Sequence, residues 1–189
     1  HYLASRGESE ARVKSSPLAW TIFQSSVIFG PGDGLFARFG GLLGWLPVLP
    51  LARAGCRFAP VYLGDVVEAM VRVLEDPASI GQTYELYGPD TYTLADLVRL
   101  TARQRGLRRW VLPLPDVLGR LQALAADFIP GKPFSSDNYR SLGSDSVGGI
   151  DGLHRLGITP TPVGAVLPEI LGDPDARQKR LDRYRATAS

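Results

Sequence analysis

Cysteine, methionine and histidine are scarce in this 189-residue chain, with one cysteine, one methionine and two histidines. Cys56 has no second thiol, so it can neither close an internal disulfide nor join a multi-thiolate metal site. That points to a reducing compartment such as the cytoplasm. His1 and His154 supply no ligand cluster, and no metal is expected. Charge of one sign is also lacking: 21 lysines and arginines face 19 aspartates and glutamates, a net charge of +2. That balance gives no electrostatic footprint for nucleic acid. No run reaches the ~18 apolar residues of a membrane span; the nearest, Leu42 to Leu51, is broken by Pro47 and Pro50. Repeats and low-complexity tracts are absent. What remains is globular composition, 44% hydrophobic and 21% charged, enough for one sizeable domain.

The segment HYLASRGESEARVK predicts a helix from about Tyr2 to Lys14, ended by Ser16-Pro17 because a residue before proline avoids the helical region. A chain opening inside a helix is expected to be the C-terminal portion of a longer protein. Ala19–Phe23 and Ser26–Phe29 are rich in β-branched and aromatic residues and predict a buried strand and its exit. A turn is expected at Gly30–Gly34, a short helix at Leu35–Leu43, and a strand at Val61–Leu63. Asp65 with Glu68 reads as a capping box for a helix with Val66, Val67, Met70, Val73 and Leu74 on one face. Thr83–Leu86 predicts a third strand, Thr93 with Asp96 caps another helix, and Leu114–Phe128 shows helical spacing over four turns. A loop is expected over Ser135–Gly149 and a helical closing segment over Leu153–Leu171. Strands separated by helices predict α/β architecture with parallel strands, and three strands resemble the far edge of a larger sheet.

Among candidate chemistry, Tyr2 and Arg6 stand four apart and share a helix face. A neighbouring cation favours phenolate, so such a tyrosine can exchange a proton with a carbonyl or hydroxyl while a nicotinamide passes a hydride. A plain surface pair is the alternative. Cys56 beside Arg57 is read as a bystander thiol, Trp20 as core and Trp45 as loop packing. Arg99, Arg103, Arg105, Arg108 and Arg109 crowd eleven residues with no acid between Asp96 and Asp116. With Trp110 and the following apolar stripe they suit an anionic membrane surface or a large partner; a solvated face is the plain reading. The charged tail, 173–189, reads as a solvated helix end.

The run Tyr2–Glu10, then Trp20–Asp33 and Pro60–Val66, resembles the extended and atypical short-chain dehydrogenase/reductases in order and spacing. Gly81–Pro89, Tyr92–Leu94 and Leu153–Pro162 are similar to one branch, the nucleotide-binding accessory subunit family of respiratory complex I (the alpha-subcomplex subunit nine family) and its bacterial relatives. The resemblance implies the C-terminal part of a Rossmann-type extended fold with a small helical substrate-side lobe. Residues 1–90 would form the nucleotide-domain half, residues 91–172 the lobe interleaved with 30–60, and 173–189 the tail. It implies NAD(P)(H) as cofactor, with Tyr2 and Arg6 as catalytic and cofactor-binding residues and Ser25, Ser26 and Val27 at the nicotinamide. Respiratory complex I or quinone-related proteins would be partners, with peripheral attachment on the inner membrane face. Two departures lean towards cofactor retention without turnover: Arg6 stands for the family's lysine and does not relay protons, and Gln24-Ser25 replaces an Arg-Pro pair. An active NAD(P)-dependent epimerase, dehydratase or reductase using Tyr2 stays open, as does a membrane-surface or partner-binding module. No Gly-rich phosphate turn precedes a suitable helix, so dinucleotide binding by this stretch alone is expected to be weak.

Overall fold

The computed structural model describes residues 2–120, 142–148 and 151–172, with side chains described from Gly7 onward. The predicted helix over residues 2–14 is α1 (Tyr2–Lys14). It leads into β1 (Ile22–Ser25) and β2 (Ile28–Phe29). The first strand starts later than expected: Trp20 lies outside it, half-buried, its carbonyl accepting the Gly81 N–H at 2.7 Å. Beyond the turn at residues 30–34 comes α2 (Leu35–Trp45), then β3 (Val48–Ala52), β4 (Arg57–Phe58) and β5 (Val61–Tyr62). These are followed by α3 (Leu63–Glu75), a 3-10 turn (Pro77–Ser79), β6 (Thr83–Leu86), β7 (Tyr92–Thr93) and α4 (Leu94–Gln104). The described chain closes with β8 (Trp110–Leu114), a helical stretch over 116–120, α5 (Gly152–Arg155) and α6 (Val163–Leu171).

Among the described residues, three of the four strand pairs are parallel: β1 with β6, β2 with β5 and β3 with β8. The fourth, β4 with β7, is antiparallel. In the first pair Ile22 faces Thr83 and Ser25 faces Leu86. In the third, Val48 faces Trp110 and Ala52 faces Leu114. Parallel partners cannot be joined by a tight turn, and each of these pairs is far apart in the chain, with α2 between β2 and β5 and both α2 and α3 between β1 and β6.

The side chains sort into two apolar clusters. One gathers Phe29, Phe36, Phe39 and Leu43 with Leu49, Leu51, Leu94, Leu97, Val98, Val163 and Leu167, drawn from β2, α2, β3, α4 and α6. The other is smaller, with Val61, Val66, Ala69, Tyr84, Leu86, Leu153 and Ile158 between β5, β6, α3 and α5. Thr93 and Asp96 form the expected reciprocal cap of α4: the Thr93 hydroxyl accepts the Asp96 N–H at 3.1 Å, and the Asp96 carboxylate accepts the Thr93 N–H at 3.2 Å.

Several expectations are corrected. α3 begins at Leu63, and Asp65 makes no capping box; its buried carboxylate accepts the Thr161 N–H and hydroxyl at 2.7 and 2.8 Å. Of the apolar set assigned to one face of that helix, Val66 is buried and Val73 half-buried, while Val67, Met70 and Leu74 are exposed. Leu114 belongs to β8, not to a helix; residues 121–128 of the expected helix lie outside the described residues, as does the tail at 173–189. The closing segment is two helices, because Gly157 takes a positive φ of 69° and Pro160 and Pro162 interrupt the path.

Candidate functional site

In open α/β sheets, ligands bind beyond the carboxyl ends of the strands. Here those ends are Ser25 on β1 and Leu86 on β6, which face each other in register. Ser26 follows directly, its N–H donating to the Leu86 carbonyl at 3.1 Å. The buried Ser26 hydroxyl donates to the Ser146 carbonyl at 2.8 Å, and the Val27 carbonyl accepts the Val61 N–H at 3.0 Å. Ser25 has no side-chain partner among the described residues. The segment 142–148 is stitched to this tip, since Ser146 N–H donates to Arg57 O at 2.8 Å and Ala59 N–H donates to Ser146 O at 3.1 Å. Sequence reading missed Ser146: its contacts pass through the backbone and leave no residue pattern.

Gly88 closes the crevice from the β6 side. Its N–H donates to Ala59 O at 3.1 Å, and a Cβ there would overlap the Pro60 carbonyl. Only glycine permits that approach. Tyr87, next to it, packs its ring against Gly148, and burial, then the nearby Glu85 charge, push its phenol above the ordinary tyrosine value.

Tyr2 and Arg6 lie on α1, one turn apart along the helix, and their side chains lie outside the described residues. What ties that helix to the site is Glu10, whose carboxylate accepts both Gln24 Nε2 contacts, at 3.0 and 2.9 Å, while pairing with Lys14 at 2.6 Å. Gln24 therefore joins α1 to the middle of β1, and its amide is engaged away from the crevice.

These residues fit a dinucleotide unevenly. Ser25 offers a free hydroxyl at the strand tip, where a carboxamide could be held. The Gly30–Gly34 turn does not suit phosphate: Asp33 already accepts the Gly30 and Phe36 N–H groups at 3.3 and 2.9 Å, placing a carboxylate at the start of α2 where an anion would sit. Cys56 is inert rather than activated. Burial, then Asp145, raise its thiol, against a smaller opposing effect of Arg53, while Arg57 is bound to Asp145 at 2.9 Å. Among the described residues no three His, Cys, Asp or Glu side chains gather as a metal site, and no helix is long and apolar enough to cross a membrane.

The fold is that of the Rossmann-type extended short-chain dehydrogenase/reductases. A dTDP-4-dehydrorhamnose reductase from Bacillus anthracis, solved in complex with NADP, matches with a TM-score of 0.63 at 14% identity, over 88% of this chain and 52% of that one. A UDP-glucose 4-epimerase from Thermotoga maritima, solved with UDP-glucose, matches at 0.61 and 15% identity, over 95% and 52%. In sequence, the chain is homologous to subunit 9 of the NADH dehydrogenase [ubiquinone] 1 alpha subcomplex, a mitochondrial protein. The Mus musculus sequence is 29% identical over 178 residues, 89% of this chain and 46% of the relative. The Arabidopsis thaliana sequence is 30% identical over 149 residues, 76% and 36%. The chain thus spans less than half the length of these curated relatives. No family model matches.

Proposed function

We propose that this chain is part of an NAD(P)(H)-binding accessory protein associated with respiratory complex I or its quinone chemistry, in which the cofactor is held chiefly for structure. The observation that carries the reading is Gln24. It stands where the resembling enzymes carry an arginine beside the nicotinamide, and its amide is committed to Glu10 at 2.9 and 3.0 Å. No cation is therefore offered by that position to a bound carboxamide. In this reading Tyr2 and Arg6 hold the ribose and nicotinamide, and Ser25, Ser26 and Val27 contribute the strand tip, Ser25 through its hydroxyl and the other two through packing. When bound, the dinucleotide would supply hydride chemistry; Arg6, which does not deprotonate, gives no proton relay to complete it. Residues 1–90 would supply the nucleotide side and 91–172, with 30–60, the lobe above it. Peripheral membrane contact belongs to the same reading, supported by the arginines from Arg99 to Arg109 and by Trp110.

The test is calorimetric titration of the intact protein with NADH and NADPH, followed by absorbance at the reduced-nicotinamide band with nucleotide-sugar and quinone-like substrates. Binding without consumption is expected. Steady turnover that disappears in Tyr2→Phe would instead make the protein an active epimerase, dehydratase or reductase.

A further inference from the structure

Among the described residues, the β3–β8 pair has one covered face and one bare face. Leu49 and Leu51 point into the larger cluster with Val111. On the other side stand Val48, Trp110 and Leu112, all exposed, although parallel strands are ordinarily covered on both faces. The surface continues onto the end of α2, where residues 44–48 are all exposed. Trp45 is 90% exposed and Trp110 78%. Two hydrogen bonds fix these elements together: Trp110 N–H donates to Pro47 O at 3.1 Å, and Arg109 Nε donates to Leu43 O at 2.7 Å. Two large indole rings and a row of aliphatic side chains thus lie on one rigid surface rather than on a frayed loop.

Charge selects the occupant. Residues 34–64 and 97–115, which build α2, β3, most of α4 and β8, hold eight arginines and no acid or lysine. Some are already used: Arg57 pairs with Asp145, Arg99 with Asp96 and Arg53 with Asp116. Arg38, Arg103, Arg105 and Arg108 are exposed and have no carboxylate partner among the described residues. A protein partner would need an acidic patch around an apolar centre. A bilayer with anionic headgroups presents both by its nature: tryptophan settles at the headgroup level, aliphatic side chains enter the acyl boundary, and arginines meet phosphate.

We infer that the Trp45–Val48 and Trp110–Leu112 face, rimmed by Arg108 and its neighbours, is a docking surface for an anionic phospholipid bilayer. The inference rests on the peripheral-contact part of the proposed function and gives that contact a defined face, independent of the nucleotide site.

Sedimentation of the intact protein with vesicles of phosphatidylcholine, alone or mixed with phosphatidylglycerol, tests it. Binding to the mixed vesicles is expected, with partitioning reduced about tenfold or more in Arg108→Glu and in the double variant Trp45→Ser/Trp110→Ser. Both changes are at exposed positions, so circular dichroism melts should match the parent. Quenching of tryptophan emission by brominated lipid gives a second readout, expected in the parent and in Trp20→Phe and lost in the double variant. Unchanged vesicle binding by the double variant would overturn the assigned face while leaving peripheral contact standing. No binding to mixed vesicles would overturn both, and equal binding to neutral vesicles would remove the role of the arginines. Loss of self-association in the double variant, without any vesicle binding, would make the face a contact between copies and overturn the inference. Nucleotide titration reads none of these outcomes.

Discussion

The two apolar clusters differ in how completely their helices are used. In the larger one α4 buries Leu94, Leu97, Val98, Thr101 and Ala102 against α2 and α6, and its outward side is polar or charged. In the smaller one α3 buries Val66 and Ala69 yet leaves Leu63, Val67, Met70, Val71 and Leu74 exposed. Those positions recur at helical spacing, so α3 is apolar on two sides where α4 is apolar on one. In the first cluster the apolar face of α4 is fully used, and the apolar surface left over lies on the β3–β8 pair. The second has an apolar helix face left over, and β1 pairs on one edge only among the described residues.

Substitutions can break that contrast or sharpen it. Leu97→Ala, at a fully buried position in the larger cluster, is expected to cost about 2–5 kcal/mol, read as a lowered denaturation midpoint at unchanged slope. Asp65→Ala removes the acceptor for both Thr161 donors and should cost about 1–3 kcal/mol; a near-zero cost would mean that the smaller cluster does not depend on this strap. Thr93→Ala should cost about 1 kcal/mol through the lost cap. It also has a pH signature. The Thr93 hydroxyl, first among several causes, holds the Asp96 carboxyl below its ordinary value, so its stabilisation is present above about pH 4 and is lost as pH falls through the lowered value. The variant should therefore show a flatter acid limb in urea melts taken from neutral pH downward, a small change because Asp96 is half exposed. Smallest of all, Leu74→Ala should leave the melting temperature within error, its side chain being 86% exposed. A loss comparable to that at Leu97 would show the bare face of α3 to be covered in solution.

The helices were largely legible. α2 and α4 carry apolar residues on one side, α1 is bounded by Ser16-Pro17, and Thr93 with Asp96 marks the start of α4. The same three-residue spacing misleads at Asp65, because α3 starts at Leu63 and places that carboxylate in its first turn, where a partner 96 residues away takes it. The strands β3 and β8 escaped detection, since Pro50 and Pro113 interrupt each and their pairing joins segments about sixty residues apart that share no local signal. Trp45, expected to pack in a loop, ends α2 and is the most exposed of the large apolar side chains among the described residues. At the candidate site, Ser25–Val27 are named only through the resemblance, while Ser146 and the Glu10–Gln24 link arise from tertiary contacts that no spacing encodes.

The Asp65–Thr161 strap has a consequence for how the molecule is made. Its two ends are 96 residues apart, and Gly152 must also seat against the Glu85 backbone before α5 can cover β6. At a synthesis rate of about 5–20 residues per second, the ribosome needs on the order of 5–20 s to deliver the second half of this seam after the first. During that interval β6 and the buried side of α3 lack, in the nascent chain, the cover that α5 and the segment up to Thr161 give them in the folded protein.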